Sequence, residues 1–563
     1  MLKQVLEKRV LALRRCGWAL GWLVGGVVLS ACPPLAGGGG AAPQKVLSIS
    51  FDKNGGDTEA VPSRVSLPSS EGTLGYLPQA PTRKGFVFVG WNKARDGRGE
   101  RFTEDTPLEV DILLIVYAQW KPVLNVEVQA ARTLLTPLPQ ERSARVEVVV
   151  SGFQNTMDAR SVALEAALPE GVELQEVANQ STRNTRSVDF LLAYDGVTAF
   201  PEGTASLRFH LVPAVEGYPL EEHYLHEAHT LHLRVVDGQE ESRPIELHQG
   251  NIGNFNTFAN TWEGLRRHYR LTQDIRLEAP VAPETRNWTP IGRPVDGSSL
   301  TDHAFAGSFD GDGFKIVGLT LRAPNSDYQG FFGIVSALAK IKNLGLEEVH
   351  ISGRDNVGSL VGWTNGTVRN SYATGSVEGH NNVGGLVGWL NGTVHNSYAT
   401  GNVEGSSYVG GLVGWIQLQA GGVHNSYATG AVEGNSVVGG LVGGTDAGTV
   451  QNSVALNPGL RVTAGGISER AGRVVGATNA SLINNYARSS MPLDIDGGFT
   501  FPFGTSNSRH GANTSLHSTA AFWEALWADA FENVWTWNAA TGLPVLREVG
   551  GEQNHRLQDL WRP

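Results

Sequence analysis

The sequence predicts an all-β, multidomain protein whose largest part is a right-handed parallel β-helix. Three observations support this class. One glycine-rich phrase, Val-Gly-Gly/Ser-Leu-Val-Gly, returns four times at spacings of 26, 26 and 29 residues. Short runs of alternating apolar and polar residues fill the middle of the chain, and no long segment has helical periodicity. The 563 residues include 20 Phe, 14 Trp and 12 Tyr, which are enough to build several folded cores.

The first 31 residues have the pattern of an export signal. Basic residues precede the apolar run CGWALGWLVGGVVL, which is short for a bilayer span. The run ends in LSAC, which resembles the lipobox of bacterial lipoproteins. That family is cleaved before its cysteine, so the resemblance implies a lipid attached to Cys32 as the anchor in the membrane. An ordinary secretory signal with an accidental cysteine is the alternative. Pro33 follows instead of Asp, which favours the outer membrane or cell surface.

The net charge and the cysteine content limit the classes of partner and the kinds of cross-link that are expected for the exported chain. The whole chain has a formal net charge of −11, and loss of the signal, with five basic residues and one acidic residue, changes this to −15. Such a surface repels phosphate backbones, so nucleic acid is excluded as a partner. The second cysteine, Cys16, lies in the signal, so no disulfide and no Cys-ligated metal site is expected. The Pro- and Gly-rich residues 32–44 are expected to form a flexible tether.

Residues 45–120 are expected to form a small β-rich module, because short strand-like runs alternate with Gly, Pro and Asn turns. The phrases FDKNGG, PTRKGF, GW and YAQW resemble the internalin-type B repeat. The resemblance implies a β-grasp-like fold of the kind carried by bacterial surface proteins. Trp91 and Trp120 are expected to be core aromatics, although sugar platforms are the alternative.

Residues 121–250 show period-2 runs such as ARVEVVV and ASLRFHLV, separated by turn-rich segments. This pattern predicts an immunoglobulin-like β-sandwich. A cluster of four histidines lies in EEHYLHEAHTLHLRV. Its His226-Glu227-Ala228-His229 spacing does not fit the zinc-peptidase motif H-E-x-x-H, and the alternation indicates a strand. Solvated histidines are therefore expected, and a loose surface metal site is the alternative.

Residues 251–550 are assigned to the β-helix. Three apolar columns run through the repeats, and three strands are expected in each coil. The columns are Leu360/Leu386/Leu412/Leu441, Val368/Val394/Val423/Val450 and Val377/Val403/Val432. One coil cannot bury its apolar residues alone, but stacked coils pair every strand with its copies. Glycine is expected at sharp corners that need a positive φ. The column that contains Asn370 is suited to a ladder of side-chain amides.

The phrases GGLVGW and NSYATG resemble the GLUG repeat family. Upstream segments such as FAGSFDGDGFKIVGLTL look like the opening coils of that family, and AFWEALWADAFENVWTWNAATGLPVL at 521–546 looks like its aromatic closing segment. These ends are expected to cap the β-helix and cover open strand edges. Residues 551–563 are left as a tail. In FDGDG, Asp310 and Asp312 are expected to be turn formers, and calcium binding is the alternative.

Two columns are candidate binding surfaces. Trp363, Trp389 and Trp415 form one column, for which inward or corner packing is expected and a solvent-exposed strip for sugars or an apolar partner is the alternative. Glu378, Glu404 and Glu433 form the second column, each after a valine, so alternation points them outward. A solvated acidic stripe is the simple interpretation. Attraction of a divalent cation or a basic partner is the alternative.

These observations predict a lipid-anchored bacterial surface protein that presents a β-helical binding surface, as an adhesin or interaction module. A host protein or a glycan is the expected kind of ligand. No catalytic residue, cofactor or metal site is assigned, because the repeats carry few charges and no clustered acids with a basic partner. A glycan-active β-helix enzyme, a lyase or hydrolase, is one alternative. A passive spacer is the other.

Overall fold

The computed structural model describes residues 46–68, 72–108, 113–281, 285–294, 299–463, 470–500, 502, 504–549 and 553. The predicted export signal, Cys32 and the predicted tether lie outside these residues. The chain divides into two units, which are residues 1–84 with 88–120, and residues 85–87 with 121–563. None of the helices in the described part of the chain has the length and apolar character needed to span a bilayer.

The first unit contains one five-stranded mixed sheet, as expected for a β-grasp-like module. Its central strand Leu113–Pro122 pairs in parallel with Val46–Asp52. Phe51, Trp91 and Phe102 pack edge to face at the centre of the core. Trp120 is partly buried, and its indole N–H donates to two backbone carbonyls. In spatial order the strands are Arg64–Pro68, Val46–Asp52, Leu113–Pro122, Phe86–Asn92 and Arg101–Phe102.

The next region is a sandwich of two four-stranded sheets, and both are built mainly from antiparallel pairs. Alternate residues face one core, in which Val146, Val148, Phe190 and Phe209 are buried. Two short helices, Thr156–Ser161 and Leu220–His223, join strands. The sheets comprise Val172–Ser181, Thr185–Tyr194, Ser143–Ser151 and Asn125–Ala130, and Leu134–Leu135, His229–Val235, Thr204–Pro213 and Val162–Ala167.

The sandwich continues directly into the β-helix. Leu138 of the sandwich belongs to the same buried cluster as the first coils. The Asn251 amide donates to the Glu141 carboxylate at 3.2 Å. The strand Ile245–Leu247 already pairs in parallel with Tyr269–Leu271 of the next coil. A helix, Ile252–Phe258, and a 3-10 turn, Gly264–Arg266, follow and bury Phe255 against the opening coils.

The β-helix consists of four parallel sheets that run along its length. The first contains Ile245–Leu247, Tyr269–Leu271, Ser308–Asp310, Lys340–Lys342, Thr367–Arg369, Thr393–His395, Gly422–His424, Thr449–Gln451 and Ser481–Ile483. The second contains Phe332–Val335, Val361–Thr364, Val387–Leu390, Val413–Ile416, Val442–Thr445 and Val475–Thr478. The third contains Asp355–Gly358, Asn381–Gly384, Ser407–Gly410, Val438–Gly439 and Ala471–Gly472.

The fourth sheet is the widest, because most coils contribute two short strands to it. It contains Ile275–Arg276, Lys315–Val317, Thr320–Arg322, Gly345–Ser352, Tyr372–Glu378, Tyr398–Ala399, Asn402–Glu404, Tyr427–Ala428, Val432–Gly434, Val454–Ala455, Leu460–Val462, Tyr486–Arg488, Leu493–Ile495, Gly498–Thr500 and Ala512–Thr514. Among the described strands of this sheet the pairs that join successive coils are parallel, and Gly498–Thr500 pairs antiparallel with Leu493–Ile495.

The three predicted apolar columns are buried, but the prediction of three strands in each coil is wrong. One coil contains Asn381–Gly384, Val387–Leu390, Thr393–His395, Tyr398–Ala399 and Asn402–Glu404. The phrase that reads as one strand splits in two, because the chain bends at the position that Leu386 occupies. Leu386 and its column partners are fully buried at this bend.

Most repeat glycines serve close packing rather than a positive φ. A Cβ on Gly384 would lie 2.0 Å from the Val387 carbonyl oxygen, and one on Gly392 would lie 1.9 Å from the Gly366 carbonyl oxygen of the previous coil. Neither distance is sterically allowed. The left-handed corners are instead occupied mainly by asparagine, including Asn370 and Asn396, both with φ 49°. Glycine has a positive φ at some positions, such as Gly375 and Gly448, so the expectation holds there and fails at the asparagine corners.

The predicted amide ladder is present and spans six coils. Each side-chain amide nitrogen donates to the side-chain oxygen of the preceding asparagine at 3.0–3.3 Å. The members are Asn343, Asn370, Asn396, Asn425, Asn452 and Asn484. Asp310 ends the ladder by accepting from Asn343 at 3.0 Å. Asparagine thus adopts the left-handed backbone conformation at each corner and also bonds to the asparagine of the neighbouring coil. These bonds hold the corners of successive coils together.

The aromatic closing segment packs against the side of the β-helix. Tyr372, Tyr398 and Tyr427 stack at 4.9 and 4.8 Å on the fourth sheet, and the segment covers their rings with Trp523, Trp527 and Trp535. The expectation that this segment covers open strand edges was therefore wrong. It consists of the 3-10 turn Leu516–Ser518, the helices Ala520–Trp527 and Asp529–Val534, and the hairpin Trp535–Asn538 and Leu543–Leu546.

Candidate binding surface

The predicted glutamate column exists as one line along the fourth sheet. Glu378 pairs in register with Glu404, and Glu404 pairs with Glu433. The valine before each is almost fully buried, so alternation turns each carboxylate outward. At an interstrand spacing of about 4.8 Å, two unit charges repel by about 0.9 kcal/mol in water. That cost is small enough for a stable fold to keep the three charges in line.

The glutamates line one side of an open groove with a volume of about 660 Å³. Ser376 and Asn402, two residues before Glu378 and Glu404, form a second row that faces the same way. Arg322 and His350 lie at the end of the groove nearer the N-terminal coils. The groove therefore offers carboxylate acceptors, a hydroxyl and an amide along several coils, with a cation at one end.

Ion pairing differs along the column. Glu433 lies 3.7 Å from the guanidinium of Arg461, which occupies the same register position one coil later. Arg461 also lies 3.8 Å from Asp494, in the following coil. Glu378 and Glu404 form no ion pair with the described part of the chain. Two carboxylates thus face the groove without a cationic partner from that part.

The tryptophan column lies outside the main core, on strands of the second sheet. Trp363, Trp389 and Trp415 pair in register on the second sheet. Trp363 is 8% exposed and packs with Ala304 and Ile334, whereas the other two indoles are half-buried. Trp415 contacts Tyr408 edge to face at 4.4 Å. No indole of the column is fully exposed, and binding of a ligand by this column stays a prediction.

Sequence reasoning missed Arg322, His350, Ser376 and Asn402 as groove residues. A signal for the last two was present, because a polar residue precedes the valine-glutamate pair in those two coils. Arg322 and His350 carried no such signal, because they belong to opening coils whose sequence departs from the repeat. Only the register of Arg322 with Ser352, and of Ser352 with Glu378, brings them to the groove.

A pair of stacked histidines lies on the first sheet and was also missed. His395 and His424 are register partners whose rings stack at 4.6 Å with an interplanar angle of 12°. Burial, His424 and Arg369 lower the pKa of His395 to about 4. Burial also lowers the pKa of His424. Both rings are therefore neutral at pH 7, which allows them to stack without repulsion.

The other candidate ligand groups do not converge. Asp310 accepts from Asn343 and from the Asp312 backbone, so it ends the asparagine ladder and forms a turn. In the sandwich, His226 lies 2.9 Å from Glu221, and His232 contacts the Ser206 hydroxyl. Within the described residues, no three His, Cys, Asp or Glu side chains come together as a metal site requires.

Two family models match the chain in the regions where resemblances were predicted. Residues 48–119 match the Listeria-Bacteroides repeat domain, and residues 353–378 and 379–404 match the GLUG motif. The predicted resemblances to the internalin-type B repeat and to the GLUG repeat family are thereby confirmed. The chain is a β-helical protein that combines these two kinds of repeat.

Two curated relatives share part of the chain. Halomucin of Haloquadratum walsbyi is 33% identical over 134 residues, which are 24% of this chain and 1% of halomucin. A candidate Gly-rich membrane protein of Evansella cellulosilytica is 32% identical over 106 residues, which are 18% of this chain and 12% of that protein. The chain therefore spans only a small part of the length of either relative.

Two solved structures are similar over longer stretches. The crystal structure of a candidate immunoglobulin A1 protease from Bacteroides ovatus is 22% identical with a TM-score of 0.46, and the match covers 56% of this chain and 95% of that chain. A structure of an IgA1 protease is 16% identical with a TM-score of 0.32, and the match covers 65% and 26% of the two chains. At these values the likeness transfers no residue role and no activity.

Proposed function

We propose that this protein is a cell-surface binding module, an adhesin or interaction protein, that recognises an extended ligand in the glutamate-lined groove. The observation that carries the proposal is the in-register line of carboxylates, of which Glu378 and Glu404 have no cationic partner in the described part of the chain. A rigid row of equally spaced acceptors complements a ligand that presents donors at regular intervals, such as a glycan or an extended peptide strand.

The equivalence of the three glutamates favours binding over catalysis. Acid-base hydrolysis needs two carboxyl groups whose environments differ, so that one is protonated while the other is ionised. Glu378 and Glu404 instead occupy the same position of two nearly identical coils. A glycan-active enzyme is the second candidate, because their interstrand spacing of about 4.8 Å is near the carboxyl separation of about 5–5.5 Å in retaining glycosidases.

A location at the cell surface is supported by the predicted export signal, the repeat modules and the relative that is described as a membrane protein. The proposed anchor is a lipid on Cys32. Replacement Cys32→Ala is expected to abolish incorporation of labelled fatty acid and to release or stall the protein. Unchanged labelling and membrane retention in the variant would show that Cys32 is not the anchor.

The test of binding uses the chain without its signal on arrays of glycans and host matrix proteins. We expect one class of ligand to bind and the triple variant E378Q/E404Q/E433Q to weaken that binding by about tenfold or more. The matched control carries the same charge change on exposed sandwich residues, as E127Q/E170Q/E173Q. An equal loss of binding in both triple variants would show that only the net charge of the protein matters. That result would contradict specific recognition in the groove.

A product assay separates the two candidate functions. The wild-type protein is incubated with each bound polysaccharide, and new reducing ends and unsaturated products are measured. Binding without products supports the interaction module. Products that disappear in Glu404→Gln would establish the enzyme instead, and no binding at all would leave the protein as a spacer.

A further inference from the structure

A second pocket, with a volume of about 290 Å³, lies beside the tryptophan column. It shares no lining residue with the glutamate groove. Two segments form it, residues 286–294 and 326–329. Its functional groups are the guanidinium groups of Arg286 and Arg293, the Asp327 carboxylate and the Tyr328 ring. The volume is near the lower end of ligand sites, which are about 300–1,000 Å³, so the pocket fits one small group of a larger ligand.

The carboxylate in this pocket is paired with an arginine outside it, Arg354, which also lies 3.8 Å from Asp355. Arg354 donates through Nε to one Asp327 oxygen at 2.7 Å and through Nη2 to the other. This is the two-point geometry in which arginine binds carboxylates most strongly. Asp327 therefore has no carboxylate oxygen left without a cationic contact.

Arg286 and Arg293 supply the remaining charges of the pocket, and both are positive. Neither forms an ion pair with the described part of the chain. The two charges lie close enough to act on each other, because burial and the charge of Arg286 lower the pKa of Arg293. On a chain of net charge −11, this pocket holds two neighbouring cations whose mutual repulsion an anion would relieve.

A fixed aromatic wall completes the pocket. Tyr328 is half-buried and packs against the small cluster of Ala304, Ile334 and Trp363. Its backbone is left-handed with φ 57°, and its N–H donates to the Asp355 carbonyl at 2.9 Å. The ring is therefore held in place before a ligand arrives. An aromatic face of this kind packs against the C–H face of a sugar ring.

We propose that this pocket binds one anionic sugar residue, such as a uronate or a sulfated hexose. The guanidinium groups of Arg286 and Arg293 contact its carboxylate or sulfate, and the Tyr328 ring contacts its apolar face. A site that combines charge with an aromatic wall distinguishes acidic glycans from neutral ones. The proposal stands apart from the groove and does not depend on which ligand the groove binds.

The test measures binding of a tetrasaccharide of alternating glucuronate and N-acetylglucosamine by titration calorimetry at low salt. We expect Arg293→Gln and Arg286→Gln each to weaken binding by about tenfold or more. Tyr328→Phe is expected to retain binding and Tyr328→Ala to lose it. Arg208→Gln, an exposed sandwich residue, makes the same charge change and is expected to have no effect. Circular dichroism verifies that each variant is folded.

Three further ligands make the outcome decisive. A sulfated tetrasaccharide that binds and depends on Arg293 supports the proposal with sulfate as the anion. A neutral N-acetylglucosamine tetramer that binds equally well contradicts it, and so does a poly-glutamate peptide that binds as tightly as the acidic sugar. Failure of the groove proposal is read from the E378Q/E404Q/E433Q variant on the arrays, and failure of this one from Arg293→Gln in the titration, so the two remain distinguishable.

Discussion

Asparagine at the left-handed corners solves two problems of each coil with one residue type. Asn370, Asn396 and Asn425 have φ values of 49–50°, which cost other non-glycine residues about 1 kcal/mol or more. Their amides also bond from coil to coil. Glycine would satisfy the backbone alone. The recurrence of asparagine in one column predicted the ladder. It did not predict that the same residues replace glycine at the corners, because the backbone angle φ cannot be read from a single sequence.

The stacked histidines make stability depend on pH. The pKa of His395 is about 4 in the folded protein, against about 6.5 in an unfolded chain, so the unfolded state binds a proton more readily. The contribution of the two neutral histidines to the free energy of unfolding is therefore fully present above about pH 6.5. It is lost as the pH falls toward 4. We expect the melting temperature to decrease over this range. We also expect H395Q/H424Q to reduce the decrease, because Gln451 already occupies the same column.

The control for this prediction is His223→Gln, because His223 is exposed in the sandwich. Differential scanning calorimetry from pH 8 to pH 4 gives the three profiles. Some dependence is expected to persist in the double variant, because burial also lowers the pKa values of His510 and His517. A double variant with the same slope as the wild type would show that the stacked pair does not titrate on unfolding.

At the scale of elements, the closing segment acts as a lateral clamp on the tyrosine stack. The Tyr398 hydroxyl donates to the Gln553 side chain at 2.7 Å, and the Tyr427 hydroxyl donates to the Pro544 carbonyl at 2.8 Å. Trp535, fully buried, lies over the same rings. The clamp thus ties adjacent coils together from outside, in addition to the hydrogen bonds within each sheet.

Replacement Trp535→Ala is expected to cost about 3–5 kcal/mol and to release the clamp while the β-helix stays folded. Limited proteolysis should then cut between residues 516 and 549 faster than in the wild type. Trp262→Ala is the matched control, because Trp262 is 54% exposed. Uniform proteolysis of the whole variant would indicate that clamp and β-helix unfold together.

Prediction of the elements succeeded where one residue type recurs in register and failed where the chain bends. Leu386, Val394 and Val403 were identified as core positions because each has copies in the coils above and below. The strand break beside Leu386 was missed, because a buried bend and a buried strand have the same apolar pattern. The side position of the closing segment was missed too, because its partners lie more than 70 residues away.

At the scale of the whole molecule, the regular register predicts that one coil can be removed. Deletion of residues 379–404 joins Glu378 to Gly405 and leaves every column continuous, because Glu378 and Glu404 are register partners. We expect the variant to fold cooperatively with a melting temperature lower by only several degrees. Circular dichroism and calorimetry measure both properties.

Deletion of residues 379–391 is the control, because it removes half a coil and brings different faces into register. This variant is expected to be misfolded or aggregated. Equal stability of the two deletions would contradict the assignment of the coil as the unit of the fold.

The candidate sites were less predictable than the fold. The glutamate column was visible because it repeats, whereas the pocket of Arg286, Arg293 and Tyr328 is built from segments that occur once. Arg293 and Tyr328 are 35 residues apart in the chain, and only the stacking of coils brings them together. A repeated residue can be recognised as part of a column from the sequence alone. A site assembled from segments that occur once has no such pattern in the sequence.

The lateral clamp also imposes an order in time. Tyr398 is bonded to a residue 155 positions later, so a ribosome adding about 5–20 residues per second needs about 8–31 s to supply that partner. During this interval the coils can stack, but their tyrosine face is bare and open to other chains. Association is therefore most probable before synthesis ends. A nascent chain stalled after Thr514 should recruit chaperones that the finished protein no longer binds.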